Sequence, residues 1–487
     1  MIVQSVITPK QVCDVQDLYF HTEGNVGFDE DEIIMEPDSY LDSNTYMNLF
    51  DVATWEKYTG IKKWMLQICV SGKGNIKLWA ETYANPPQLI ESISFNNNDV
   101  CINIPFEKSE NSQYIFFEIN SCKVARISSV KYLVDDKDAL KKDIHLGIVI
   151  CTYKRNKEVQ RNVEQLKNSK FFDVDNVLYG KMSIRIVDNA SELQQIQDKY
   201  IKIYYNPNTG GSGGFTRGIL ETRKDEDKYK ITHVVLMDDD VEFVMESFYR
   251  LYALLTYMKM DYEKEAIAGR MFRTDQRGVQ YTAAEIWNAG DIKHIGWNAD
   301  MTDAKSLFLV NDNTNAEYGG WWYCCYPMEF VRVNDPLPFF IHCDDVEYGL
   351  RHGGTPIILN GIQVWHETYE YRQSPVIAYY DTRNPLIVNT MYGVLPEKEK
   401  VLTDWKRKIT EQHVKEDFLT ERMIILGMLD FLTGSLRISD KKVMNKHHKL
   451  LQKRKFIKIE NALLWRLTEK LINENYYKMK ERYSGEK

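Results

Sequence analysis

The stretch Thr232–Val241, THVVLMDDDV, carries the prediction of the fold. Its apolar run is typical of a strand that is buried on both faces of a parallel sheet. Three carboxylates follow at the strand end where open α/β sheets bind ligands. Alternate side chains of an extended chain point the same way, so Asp238 and Asp240 are predicted to share one divalent cation, Mg²⁺ or Mn²⁺, while Asp239 points elsewhere. A solvated acidic turn is the alternative for this stretch alone.

Strands and helices alternate around this stretch. Apolar runs in HLGIVICTY, MSIRIVDNA and IKIYYNP precede it, and a helical pattern follows the first of them. Such alternation predicts a parallel α/β sheet. Polar residues follow two of these strands, at Thr152 to Arg155 and at Asp188. Grouped with the three aspartates at one sheet edge, they predict a nucleotide site.

The segment NPNTGGSGGFTRG at 206–218 is predicted to be a glycine-rich loop between a strand and a helix that starts at Phe215. Its glycines would allow the backbone to approach a ligand, and Arg217 can pair with a phosphate. The segment matches neither GxGxxG nor a Walker sequence, which argues against a dinucleotide oxidoreductase and a P-loop ATPase. A flexible surface loop is the alternative.

Three later motifs add candidate site residues. Trp321 and Trp322, beside two glycines, suit a platform for a sugar ring, with core packing as the alternative. In PFFIHCDDVEYGLR at 338–351, Asp344 or Asp345 can act as a general base or simply begin a helix. His366 follows a further strand and can either complete an Asp/Asp/His metal set or be structural.

The length of 487 residues suggests about three domains. Residues 1–140 are rich in β-branched and aromatic runs separated by turns, which predicts an antiparallel β-sandwich. Residues 145–390 form the predicted α/β domain, and residues 391–487 a helical region. The eight cysteines show no paired spacing, so we expect reduced thiols. No apolar run of membrane length and no signal peptide is present, which predicts a cytoplasmic protein.

The net charge of −8 is unevenly distributed. Between Arg437 and Lys458 there are nine lysines and arginines but one acid. This segment, 437–458, is predicted to contact an anionic membrane surface, with a solvated basic helix face as the alternative. The acidic remainder of the chain argues against nucleic acid as a partner.

The order ICTYKR, VDNA, NPNTGGSGGFTRG, LMDDD, GGWWYCCYP, FIHCDDVEYGLR, WHE and YYDTRN resembles bacterial galactofuranosyltransferases of glycosyltransferase family 2, over about 145–390. The resemblance implies a GT-A nucleotide-sugar transferase domain, a preceding β-sandwich and a C-terminal helical region. It implies inverting, metal-dependent transfer from UDP-galactofuranose to a hydroxyl of a cell-surface glycan or glycolipid. The basic segment and the amphipathic helical patterns of the C-terminal region predict a location at the inner face of the cell membrane. A homo-oligomer is a further prediction.

The resemblance implies roles for individual residues. Asp238, Asp240 and His366 would bind the divalent metal, Mn²⁺ or Mg²⁺. Asp345 would be the catalytic base, with Asp344 as a rival. The nucleotide-sugar site would include Thr152, Arg155, Asp188, Arg217, Asp239, Trp321 and Trp322. A family 2 enzyme with a rhamnosyl or glucosyl donor, and a non-catalytic glycan-binding protein, are the alternatives.

Overall fold

The computed structural model describes residues 1–9, 12–29, 32–82, 86–310, 315–368, 374–434 and 457–484. The N-terminal module is built from strands with one α-helix, α1 (Val52–Thr59). Its strands are β1 (Ile2–Ser5), β2 (His21–Glu23), β3 (Val26–Phe28), β4 (Ile33–Met35), β5 (Tyr40–Asp42), β6 (Lys63–Glu81), β7 (Gln88–Glu107), β8 (Tyr114–Ser121) and β9 (Ala125–Val134).

The long strand β6 organises this module. It pairs with β7 along one edge, and along the other edge first with β9 and then with β8, always antiparallel. Its side chains alternate between buried and partly exposed, as expected for a strand with one face in the core. The N-terminal strands are therefore antiparallel, as the predicted antiparallel β-sandwich requires, and they belong to one connected network.

One prediction about this module is wrong. Cys69 and Cys101 form a disulfide, although reduced thiols were expected. They lie 32 residues apart in sequence but face each other directly in the β6–β7 pair, with Cα atoms 3.9 Å apart. The pairing follows from strand register, which the cysteine spacing does not reveal. The described cysteines outside this pair are free.

The central domain alternates strands and helices. Its strands are β10 (Leu146–Thr152), β11 (Met182–Asp188), β12 (Ile201–Tyr205), β13 (His233–Asp238), β14 (Ile267–Ala268), β15 (Arg270–Arg273), β16 (Val279–Thr282), β17 (Glu285–Asn288), β18 (Asp291–His294), β19 (Ala299–Asp300), β20 (Cys324–Pro327) and β21 (Gln363–His366). Its helices are α2 (Asn156–Lys167), α3 (Gly210–Lys224), α4 (Glu226–Tyr229), α5 (Glu246–Tyr257), α6 (Ala304–Val310), α7 (Met328–Val333) and α8 (Asp344–His352).

The main sheet of this domain has the order β12-β11-β10-β13-β20-β14. Strands β10 to β13 are parallel, as the alternation predicts, and β20 runs antiparallel to both of its neighbours. The register aligns Thr152 with Asp188 and Cys151 with Asp238, so the polar ends of β10, β11 and β13 meet at one edge. A smaller sheet, β19-β16-β15-β21, brings His366 to that region.

The glycine-rich segment differs from its prediction. Helix α3 begins at Gly210, so the glycines form its first turns and are not a loop before it. A Cβ atom on Gly214 would lie 2.1 Å from the Cys151 sulfur, and one on Gly218 would lie 2.2 Å from a Val149 methyl carbon. The glycines therefore let α3 pack closely on β10.

The N-terminal module is docked on α5. Fully buried Arg250 donates to the backbone carbonyl of Met47, and Glu246 accepts a hydrogen bond from the backbone amide of Ser5. Arg250 and Glu246 also form an ion pair within α5. These buried charges satisfy one another and the adjoining backbone. They therefore form a polar contact between the N-terminal module and α5, inside a hydrophobic core that the module shares with the central domain.

The C-terminal region is helical, as predicted. Its helices are α9 (Pro375–Met391), α10 (Lys398–Val414), α11 (Phe418–Thr433), α12 (Ile457–Asn475) and α13 (Lys478–Ser484). They share a core that includes Trp405, Phe431 and Ile472. Most of the predicted membrane segment 437–458 lies outside the described residues. No helix among the described residues is long and apolar enough to cross a membrane.

Candidate active site

Asp238, Asp240 and His366 come together where β13 and β21 end. His366 Nε2 lies 3.0 Å from an Asp240 oxygen and 3.6 Å from an Asp238 oxygen. One ligand atom of each residue lies within 4.8 Å of the other two. Two carboxylates and an imidazole form a donor set suited to Mn²⁺ or Mg²⁺. The structure therefore brings together the residues predicted to bind a metal.

Arg155 lies beside these three predicted metal ligands, Asp238, Asp240 and His366, which are called the metal cluster below. Its guanidinium pairs with Asp240 and donates to an Asp239 oxygen at 3.1 Å. Burial and the charge of Asp240 raise the pKa of Asp239, whereas the charge of Arg155 opposes this shift. Arg155 and Asp239 are thus linked at the sheet edge that carries Asp238 and Asp240, here called the metal edge, and buried Thr152 ends the neighbouring strand β10.

Asp188 has a structural task that the sequence did not reveal. Its carboxylate accepts backbone N–H groups of Ala190, Glu192 and Leu193, at 2.7–2.9 Å. It therefore shapes the loop after β11, and a contact with base or ribose stays a prediction.

Arg217 pairs with Glu221 at 2.9 Å on α3 and lies over the ring of Tyr204. A contact of Arg217 with the nucleotide-sugar stays a prediction.

The two tryptophans have different environments. Trp321 is buried and packs edge-on against Phe215 and Tyr348, as the core-packing alternative predicts. Trp322 is partly exposed, and its indole N–H donates to the carbonyl of Gly269 at 2.9 Å. Gly320 leaves room for the Trp322 ring, since a Cβ there would lie 2.1 Å from it. A role for either ring in sugar binding stays a prediction.

Asp344 and Asp345 occupy the first turn of α8, where the helix dipole stabilises negatively charged carboxylates. Asp345 accepts the backbone N–H of Val346 at 2.8 Å. Burial raises the pKa of both carboxyls, and the negative charge of Asp344 raises that of Asp345 further. The charge of Asp238 also raises the pKa of Asp345, so the acid pair and the metal cluster are within electrostatic range.

Glu285 is a site residue that the sequence analysis missed. It is buried, lies 2.8 Å from His294 Nδ1, and its charge raises the pKa of Asp345. The pKa of Tyr318 is raised mainly by burial and, to a smaller extent, by the charge of Glu285. The ring of His294 lies 6.3 Å from that of Trp297, which is 60% exposed. These residues lie in short strands and loops whose sequence has no recognisable motif.

Comparison with known proteins fits this geometry. Residues 147–318 match the model of glycosyl transferase family 2, and residues 3–135 match that of the galactofuranosyltransferase 2 N-terminal domain. Residues 147–318 are therefore similar to family 2 glycosyltransferases. The predicted resemblance to galactofuranosyltransferases is confirmed, and so is the order of a β-rich module, a glycosyltransferase domain and C-terminal helices.

Two curated relatives match across these domains. Galactofuranosyltransferase GlfT2 of Mycobacterium tuberculosis is 23% identical over 427 residues, which cover 80% of this chain and 64% of that protein. GlfT2 of Mycolicibacterium smegmatis is 22% identical, over 82% of this chain and 65% of that protein. The chain therefore spans slightly less than two thirds of the length of these relatives.

A solved mannosyltransferase from Pyrobaculum calidifontis, in complex with GDP-Man and Mn²⁺, aligns with a TM-score of 0.32 and 9% identity. The alignment covers 70% of this chain and 89% of the mannosyltransferase. Similarity at this level supports no argument about the fold or the ligands of the glycosyltransferase domain.

Proposed function

We propose that the protein transfers galactofuranose from UDP-galactofuranose to a hydroxyl of a glycan acceptor, with inversion at the anomeric carbon. The observation that carries this proposal is the arrangement of two groups of acids at one site. Asp238 and Asp240 converge with His366, while Asp345 lies on a separate helix, α8, and the charge of Asp238 contributes to its raised pKa. A donor site and a base for the acceptor need this division.

The residues divide the chemistry between them. Asp238, Asp240 and His366 would hold a divalent cation, which would offset the negative charge that develops on the departing diphosphate. Arg155 is close enough to the same edge to exchange Asp239 or Asp240 for a phosphate oxygen.

On the acceptor side, the Asp345 carboxylate would take the proton of the hydroxyl. The hydroxyl oxygen then bonds to the anomeric carbon as the bond from that carbon to the diphosphate oxygen breaks, and UDP leaves with the electron pair. One displacement without an enzyme nucleophile gives inversion. Exposed Trp297, next to the His294–Glu285 pair, offers a ring for the acceptor sugar.

A contact with the membrane surface is the second part of the proposal. Within 458–470 of α12, the exposed residues are apolar or basic, and the two acids, Glu460 and Glu469, pair with Arg422 and Lys406 of neighbouring helices. Ile459, Leu463 and Leu467 are 65%, 64% and 49% exposed and follow one another at four-residue spacing. Such a face suits a membrane with anionic headgroups and would bring a cytoplasmic enzyme to a lipid-linked acceptor.

The test of the donor is UDP release from UDP-galactofuranose, UDP-galactopyranose and a set of other UDP- and dTDP-sugars, with Mn²⁺, with Mg²⁺ and with EDTA. We expect turnover of UDP-galactofuranose alone, and its loss with EDTA. Turnover of a rhamnosyl or glucosyl donor instead would reassign the substrate. Neither turnover nor nucleotide binding, with glycolipid acceptors present, would favour a glycan-binding protein.

A further inference from the structure

The residues directly before the acid pair adopt an unusual backbone. In the segment Phe339–Cys343, here called the acid turn, three residues have left-handed φ angles: +76° at Phe340, +65° at His342 and +65° at Cys343. Non-glycine residues in such conformations are strained and persist only where the surroundings hold them. Asp344 and Asp345 follow immediately, so the turn sets where α8 begins.

Contacts from two distant helices hold the acid turn. The Phe340 carbonyl accepts the backbone N–H of Ser212, in the first turn of α3, at 3.1 Å. The carbonyls of Ile341 and His342 both accept hydrogen bonds from the Asn384 side-chain amide of α9, at 2.8 Å each. Four successive carbonyls, those of residues 339–342, thus bond to groups outside the turn, with Arg383 donating to the first.

Asn384 is suited to this task by its chemistry. It is fully buried, and its amide nitrogen has two hydrogens for the two carbonyls. Its own carbonyl oxygen accepts two hydrogen bonds from the Arg383 guanidinium, at 2.8 and 2.6 Å. Aspartate has the same shape but no hydrogen to donate when ionised, and it would turn a negative oxygen toward the carbonyls.

We propose that Asn384 is a positioning residue for transfer: its amide fixes the acid turn and thereby the place of Asp345 opposite the metal cluster. This inference rests on the proposed function, in which Asp345 is the base. The YYDTRN motif, which contains Asn384, thereby has the task of holding the acid turn. The glycine-rich start of α3 packs on β10 and also supports the acid turn through Ser212. The geometry of a base matters because a displacement of about 1 Å can lower a rate about 100-fold.

The test is Asn384→Asp in the full chain. We expect kcat to fall about 10- to 100-fold. The KM for the donor and the number of UDP sites measured by calorimetry with Mn²⁺ should stay within two-fold, because β10, β13 and β21 carry the metal edge. Hydrogen–deuterium exchange of the amides in residues 339–347 should rise, while that of β10 and β13 should not.

The matched control is Asn461→Asp. Asn461 is a buried asparagine of α12 that donates to the Phe418 carbonyl at 2.9 Å, away from the acid turn. In Asn461→Asp, kcat divided by the number of UDP sites and the amide exchange of residues 339–347 should both equal the wild-type values. Unchanged exchange of the turn in Asn384→Asp, or a kcat that falls only in proportion to the UDP sites, would overturn the proposal.

The exchange measurement does not depend on turnover. If the wild-type chain transferred no sugar at all, the proposed function would fail, and faster exchange of residues 339–347 in Asn384→Asp would still establish that Asn384 holds the acid turn. If turnover were normal in the variant while exchange rose, Asn384 would hold the turn without a role in transfer, and the positioning proposal would be wrong.

Discussion

The metal cluster and the acid pair both collect carboxylates, but they handle negative charge in opposite ways. At the metal edge, Arg155 and His366 lie directly against the aspartates. At the start of α8, the nearest described partner of Asp345 is a backbone N–H, and its neighbours Asp344 and Glu285 add negative charge. The first arrangement suits the binding of ions. The second suits a group that accepts a proton, because raised pKa values increase basicity.

Asp345→Asn should have the largest effect. Losing a general base lowers a rate by about 10²- to 10⁴-fold, so the rate of transfer from UDP-galactofuranose should fall by this factor. Binding of UDP with Mn²⁺ should stay within two-fold, because the metal cluster is untouched. Steady-state kinetics and calorimetry measure the two quantities. If Asp344→Asn lost more activity than Asp345→Asn, the role of the base would move to Asp344.

Gly210→Ala should damage the acid pair next most severely. A Cβ atom on Gly210 would lie 2.1 Å from the Phe340 carbonyl oxygen, and φ is +73°. We expect kcat to fall about 10- to 100-fold, as for a displaced base. Gly393→Ala is the matched control, since φ there is +72° with no atom within 4 Å. Equal loss of kcat in both variants would mean that backbone strain alone is responsible.

The acid pair should also lower the stability of the fold. Burial raises the pKa of Asp344 to about 6, whereas the unfolded chain has an ordinary aspartate. As the pH rises from about 4 to 6, the unfolded state loses this proton first, so the free energy of unfolding falls. Without metal, Asp344→Asn should therefore gain about 1–3 kcal/mol at pH 8 and little at pH 4. Denaturation at both pH values measures this, and an equal gain at both would contradict it.

A change remote from both groups should have the smallest effect. Replacing Leu463 and Leu467 by serine should weaken binding to anionic vesicles several-fold through lost apolar contact, with the melting temperature and soluble-acceptor kinetics unchanged. Asn473→Ser, also exposed on α12, is the control. Vesicle co-sedimentation measures binding. Unchanged binding would remove the membrane role from α12.

The sequence predicted the metal edge better than the acid turn, and the reason is physical. Asp238 ends an apolar strand and Asp240 follows it by two residues, so the local sequence alone places both carboxylates at one strand end. The hold on Asp345 depends on Asn384 and Ser212, which lie on helices far away in sequence. Periodicity and spacing contain no information on such contacts. The same limit hid the Cys69–Cys101 pair, and it hid Glu285.

The most direct test of the division between metal edge and acid pair is a titration of Mn²⁺ in the presence of UDP. Wild type, Asp240→Ala and Asp345→Asn would be compared by calorimetry, with folding checked by circular dichroism. We expect one Mn²⁺ site in wild type and in Asp345→Asn, and its loss in Asp240→Ala. A site that survived in Asp240→Ala, or that disappeared in Asp345→Asn, would contradict it.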